Sequence, residues 1–138
     1  MKKLLLLFML LIFSIPTFAS NWCEYDENSY IDLDSIKRVD NIASFWQKHI
    51  NKGNIRDVDN KKVAFAMDFS YFDFTSKKHA IKEIYFYGLD NKLIKKYSLN
   101  LKWDVIVPDS KSDYLYKVVD NYPDGDWALM IFKNKVGL

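Results

Sequence analysis

Leu93-Ile-Lys-Lys-Tyr-Ser-Leu-Asn-Leu-Lys-Trp103, Asp104-Val-Ile-Val-Pro108-Asp-Ser110 and Lys111-Ser-Asp-Tyr-Leu-Tyr-Lys-Val-Val-Asp-Asn-Tyr122 are consecutive pieces of one 138-residue chain. Their apolar period changes from two to about 3.6, the mark of a strand handing over to a helix. Pro108 has no N–H to donate and biases Val107 to an extended conformation. Ser110 is the expected N-cap. Asp113, three residues on, makes a capping-box-like start that suits the positive end of the helix dipole. Leu115, Val118, Val119 and Tyr122 recur at i, i+3, i+4 and i+7 and form one apolar stripe. Pro123-Asp-Gly125 ends the helix. Every other strong segment reads as a strand, so this helix is the one body available to cover a sheet face.

Upstream, Lys92 to Lys102 has apolar odd positions (Leu93, Tyr97, Leu99, Leu101, with Lys95 the exception) and mostly polar even ones. Gly88-Leu-Asp-Asn91 is a hairpin turn, because Gly, Asp and Asn tolerate positive φ, and His79 to Tyr87 is the strand before it. Val63 to Phe74 is the cleanest strand. Val63, Phe65, Met67, Phe69 and Tyr71 share one face, and Ala64, Ala66, Asp68 and Ser70 share the other. That alternation predicts a half-buried antiparallel strand anchored by its large side chains, at about 1.5–3 kcal/mol for each one buried. Asn51 to Lys62 is polar and reads as a loop. Ile42 to Ile50 is a strand with Trp46 on one side and Phe45, Gln47 and His49 on the other. Tyr30 to Ile36 is a strand between turns at 26–29 and 37–41. Asn21 to Tyr25 is a first strand and Trp127 to Phe132 a final short one, followed by a tail from Lys133 to Leu138. The fold class is α+β: an antiparallel sheet closed by a C-proximal helix, with an extra short C-terminal strand.

Met1-Lys2-Lys3, the apolar run Leu4 to Ile15, Pro16 and Thr17-Phe18-Ala19 have the three parts of a secretory signal peptide. The run is shorter than the roughly 20 residues that span a bilayer. Cleavage after Ala19 leaves a single domain, residues 20–138, with no second apolar run of spanning length. The chain's net charge of +2 then disappears with Lys2 and Lys3, so overall charge gives no argument for nucleic acid. The distribution is informative. Residues 24–40 carry six acids against two bases, and residues 77–102 carry seven lysines against two acids. Cys23 is the single cysteine and cannot make an internal disulfide. It is read as a small buried hydrophobe or as one half of an intermolecular disulfide. Asn21-Trp22 before it argues against lipidation.

Reactive chemistry is thin. His49 and His79 stand apart on different strands, and one cysteine with two histidines falls short of a metal centre. No phosphate loop, nucleophile elbow or H-E-x-x-H is present. Asp32 and Asp34 with Ser35 resemble the start of a calcium loop, but the required Gly and Glu do not follow. They are read as side chains satisfying backbone donors. No metal or cofactor is implied. The lysines of 77–102 with Tyr85, Tyr87 and Tyr97 mimic a single-strand nucleic-acid face, a ligand an exported protein rarely meets. Sulfated glycans or acidic proteins are better partners for Lys77, Lys78, Lys82, Lys92, Lys96 and Lys102, which form the predicted binding strip. Lysines that keep edge strands from aggregating are the competing account.

Tyr30-Ile-Asp-Leu-Asp-Ser-Ile-Lys-Arg38, Asn41 to Trp46, and Trp103 to Ser110 leading into Tyr114-Leu-Tyr-Lys-Val118 together resemble the surface-adhesin protein E family of exported bacterial proteins, over residues 22–122. The resemblance implies a sheet of about six strands, a C-proximal helix, a tendency to form homodimers, and binding of host matrix proteins without enzymatic activity. Members commonly carry a cysteine pair, one in the central strand and one closing the helix. Phe74 and Asp120 stand roughly there in this chain. Three readings follow. The first is a non-enzymatic exported binding protein acting at the outer-membrane surface, in the periplasm or after secretion. The second is a small periplasmic inhibitor or accessory protein using Asn51 to Lys62. The third is a minor hydrolase, which a deep pocket holding His49 or His79 beside a carboxylate would revive.

Overall fold

Residues 20–52 and 57–122 are described in the computed structural model. The strands are β1 (Trp22–Asp26), β2 (Ser29–Val39), β3 (Ile42–Ile50), β4 (Asp57–Val58), β5 (Lys61–Asp73), β6 (Lys78–Gly88), β7 (Leu93–Ser98) and β8 (Asp104–Val105), and the helix α1 is Lys111–Asp120. The six long strands lie in the order β1-β2-β3-β5-β6-β7, each antiparallel to the next, while β4 adds to β5 and β8 to the start of β6. Tight turns make this meander possible. Asn28, Asp40 and Asn91 take positive φ at the β1–β2, β2–β3 and β6–β7 corners, where short Asn and Asp side chains are tolerated.

Several expectations shift. β2 continues to Val39, so the turn expected at 37–41 shrinks to Asp40 and Asn41. The loop expected over Asn51 to Lys62 contains a small hairpin: β4 pairs with Lys61 and Lys62 through Asp59 and Asn60, both at positive φ. β7 stops at Ser98 instead of Lys102. Residues 1–19, the helix stop at Pro123 to Gly125, the strand at Trp127 to Phe132 and the tail from Lys133 lie outside the described residues.

The largest correction concerns which side of β5 meets the core. Phe65, Met67, Phe69 and Tyr71 are only half-buried, whereas Asp68, Ser70 and Phe72 on the opposite side are buried. The core is built from Tyr25, Ile31, Leu33, Ala43, Phe45, Phe72 and Ile106, with Leu115 and Val119 of α1 laid on top. α1 therefore covers the side of β5 that carries Phe72 and the small polar residues. The small residues leave room for the helix, and the large aromatics pack among themselves, stacked, tilted and edge-on, on the other face.

The helix begins as its sequence requires. Ser110 Oγ accepts from the Asp113 N–H at 3.2 Å, and the Asp113 carboxylate accepts from the Asp109 N–H at 3.1 Å. Leu115, Val118 and Val119 are the buried stripe. The calcium-like residues do what a turn network does, inside a strand. Asp32 Oδ1 accepts from the N–H groups of Asn21 and Asp34, and Ser35 Oγ accepts from the Trp46 N–H. Together they satisfy the irregularity that interrupts β2–β3 pairing between Asp32 and Lys37.

Candidate functional site

The sheet has two chemically different faces. On the outer face the register aligns Trp46 with Phe69, Met67 with Tyr85, and Phe65 with Tyr87. Aromatic cross-strand pairs follow directly. Trp46 lies 5.0 Å from Phe69 and 5.4 Å from Tyr85, Phe69 is 5.3 Å from Tyr71, and Phe65 stacks on Tyr87 at 4.7 Å. Cations sit on this layer: Lys48 Nζ is 4.5 Å from the Phe65 ring and Lys96 Nζ is 5.0 Å from that of Tyr85. At one end Trp46 and Phe69 join Asp32, Asp34, Ser35, Lys37 and Ser44 around an open depression of about 380 Å³. No described helix or strand packs over this face.

The six predicted lysines are distributed along this region instead of converging. Lys77 and Lys78 stand where β6 begins and Lys92 beyond its far end, roughly 30 Å away at about 3.3 Å per residue. Lys96 pairs with Glu83 at 2.9 Å and Lys102 with Asp104 at 3.7 Å. Hydrogen bonds that Lys96 donates to Tyr85 and Glu83 push its ammonium pKa up, and Lys96, with Tyr85, holds the Glu83 carboxyl below its ordinary range. Lys95, outside the predicted strip, reaches Asp59 at 2.9 Å and ties the β4–β5 hairpin to β7. Leu93, Leu101 and Tyr97 add exposed apolar surface along the same edge.

The inner face holds a second arrangement, and here sequence reasoning missed most of the residues. Register places Ser29 opposite His49, and Gln47 opposite Asp68. Diagonal neighbours across adjacent strands are within side-chain reach, so one connected chain forms. Ser29 Oγ is 3.2 Å from His49 Nδ1, and His49 Nε2 is 3.2 Å from Asp68 Oδ2. Beside it, Tyr25 donates to Gln47 Oε1 at 2.7 Å and Gln47 Nε2 donates to Ser70 Oγ at 2.9 Å. Burial pushes the Tyr25 hydroxyl pKa strongly upward. These side chains line a cleft of about 240 Å³ that also receives His79, Ile81, Lys111, Ser112 and Leu115. Lys111 pairs with Asp26, and this bond holds the Asp26 carboxyl below its ordinary range. His79 Nδ1 is buried and has no partner among the described residues. The signal was present but quiet: Gln47 and His49 on one strand, Asp68 and Ser70 on the next, are polar at the positions that alternate with large aromatics.

His49 thus stands beside a carboxylate in a small, half-open cleft. Among the described residues no three His, Cys, Asp or Glu side chains converge as a metal site, and no helix is long and apolar enough to cross a membrane.

Solved structures share the architecture. A crystal structure of protein E from non-typeable Haemophilus influenzae superposes with a TM-score of 0.61 at 12% identity, covering 86% of this chain and 93% of that one. A second crystal form of Haemophilus influenzae protein E gives 0.57 at 15% identity, with 78% and 94% covered. No family model and no curated protein matches the chain. The expected α+β fold, an antiparallel sheet with a C-proximal helix, is the fold of protein E.

Proposed function

We propose that this chain, with its protein E fold, is an exported bacterial binding protein whose partner docks on the outer face of its sheet, a face that carries no catalytic step. The observation that carries the reading is the half-buried layer of Trp46, Phe65, Phe69, Tyr85 and Tyr87, over which no described helix or strand packs and on which Lys48 and Lys96 sit. Aromatic side chains give large contact area at low entropic cost. Lysines around them steer an acidic partner and make its arrival salt-dependent. Lys77, Lys78, Lys82, Lys92, Lys96 and Lys102 supply that positive field. The partner is an extracellular or periplasmic protein, such as a host matrix protein, or a sulfated glycan. Residues 1–19 act as the export signal.

The test is binding of heparin and of matrix proteins to the folded Lys92/Lys96/Lys102→Glu variant. Affinity should fall at least tenfold at physiological salt. Unchanged affinity removes the lysine strip from the interface. The rival role, a periplasmic inhibitor or accessory protein, is separated by cell fractionation. A chain found only as a soluble periplasmic pool favours the rival.

A further inference from the structure

We propose that Ser29 is a nucleophile, with His49 as its base and Asp68 as the group that orients His49, and that the cleft beneath α1 hydrolyses small carboxylic esters. This activity goes beyond surface binding and stands independently of it.

Hydrogen-bond chemistry assigns the protons. A carboxylate only accepts, so His49 Nε2 carries the hydrogen that faces Asp68 Oδ2 at 3.2 Å. In the neutral ring Nδ1 is then the bare nitrogen, able to accept from the Ser29 hydroxyl at 3.2 Å, while the same hydroxyl also lies within hydrogen-bonding reach of Tyr25. That is the protonation state a serine nucleophile needs. Three strands hold the relay in place, through the Ser29–His49 and Gln47–Asp68 cross-strand pairs. The chain is also open to solvent. Ser29 and Asp68 are buried, but the His49 side chain is 38% exposed, and all three line the cleft.

One wall of the cleft is the start of α1. Lys111 and Ser112, the first two residues of α1, line the same cleft. Their N–H groups have no intrahelical acceptor, and the helix end is positive. Such donors stabilise charge that develops in a transition state. Phe72, Ile81 and Leu115 give the cleft an apolar side, and its volume of about 240 Å³ limits the acyl group to a short one.

The steps balance. Ser29 Oγ bonds to the ester carbonyl carbon while its proton passes to His49 Nδ1. The carbonyl re-forms, the bond to the alcohol oxygen breaks, and the alcohol leaves with that proton. Water then attacks the acyl-Ser29, gives a proton to Nδ1, and releases the acid as Ser29 recovers its hydrogen.

The test uses the purified full chain with a fluorophosphonate probe and with 4-nitrophenyl acetate. Mass spectrometry should find Ser29 labelled at least tenfold faster than exposed Ser98, a comparison within one molecule that needs no variant. A burst of 4-nitrophenolate followed by steady turnover should vanish in Ser29→Ala. Asp68→Asn should lower kcat at least tenfold with KM little changed, whereas Leu89→Ser, at an exposed hairpin corner, should leave both alone. Equal labelling of Ser29 and Ser98, or labelling without ester turnover, overturns the proposal. Heparin binding by Ser29→Ala should be unaffected, so loss of either activity is distinguishable from loss of the other.

Discussion

Arg38 lays its guanidinium carbon 4.0 Å above the ring centroid of Phe74. The same guanidinium reaches Asp120 Oδ1 at 3.2 Å, at the end of α1. Phe74 and Asp120 stand roughly where the family resemblance implies a cysteine pair. Here a cation joins them: one end of Arg38 is held by π attraction, the other by charge. The ring of Phe74 is fixed in turn by Tyr116 at 5.0 Å.

Arg38→Ala should therefore loosen the end of α1. Exposed cation–π contacts contribute about 0.5–1 kcal/mol and exposed ion pairs about 0.2–1 kcal/mol. A loss of about 1 kcal/mol is expected in urea unfolding at pH 7. Asp120→Asn should cost less, because it removes only the screened half. Equal losses from the two variants would show that the stacking on Phe74 contributes nothing.

The two faces of β5 give the sharpest contrast in stability. Phe72 is 2% exposed and lies 4.9 Å from Phe45, which is fully buried. Phe72→Ala should cost about 3–5 kcal/mol, the range for an aromatic lost from a packed core. Phe69, half-buried between Trp46 and Tyr71, should cost about 1–2 kcal/mol when cut to alanine, since solvent reaches its site and no sealed cavity remains. Urea midpoints of the two variants decide the point. A reversed order would put the helix on the wrong side of the sheet.

That contrast also explains what could be read from the chain beforehand. The strand at Ile42–Ile50, the hairpin at Gly88–Asn91 and the cap at Ser110 were legible because each depends on neighbours in sequence. The sidedness of β5 was not. Alternation tells which residues share a face, while the choice of face depends on where α1 lands, a contact some 40 residues away in the chain. Size misled as well: the outer aromatics cover one another, so large residues on one side did not mark the core. The Ser29–His49–Asp68 chain was hidden for a similar reason, since it is assembled by register across three strands. The lysine cluster of 77–102 was legible as composition, but its spread along β6 and its pairing with Glu83 and Asp104 needed the register too.

Acid should weaken the fold through a small set of carboxylates. Asp26 is held below its ordinary pKa of 3.8 chiefly by Lys111, Asp113 chiefly by Lys117, and Glu83 below 4.5 chiefly by Lys96. A depressed folded pKa contributes stability that is present above the unfolded value and is lost as pH falls through the folded one. The urea midpoint should hold from pH 7 to about 5 and then decline as the pH passes below 4.5 and 3.8. Asp26→Asn should be less stable than the wild type at neutral pH and decline less steeply in acid. Parallel curves for the two would mean that the Lys111–Asp26 bond, which holds the first turn of α1 against β1, is not formed in solution.

Alkali tests the opposite side of the same cleft. Tyr25 is 8% exposed and donates to Gln47 Oε1 at 2.7 Å. Burial is the main reason its hydroxyl resists ionisation, with the negative charges of Asp68 and Asp26 adding to it. Its folded pKa is raised above the unfolded value of 10.0. The stabilising contribution is complete below pH 10 and is lost as pH rises toward the folded value, because the unfolded chain releases this proton first. One proton of difference corresponds to about 1.4 kcal/mol per pH unit. Wild-type unfolding free energy should fall by at least that slope between pH 10.5 and 11.5. Tyr25→Phe should remove about one proton's worth of the slope. At pH 7 the same variant should be less stable by about 1–3 kcal/mol, because Gln47 Oε1 is left buried without its donor. Urea unfolding at pH 7, 10.5 and 11.5 measures both effects. A variant as steep in alkali as the wild type would mean that Tyr25 is open to water, and that the cleft floor is not closed as the structure has it.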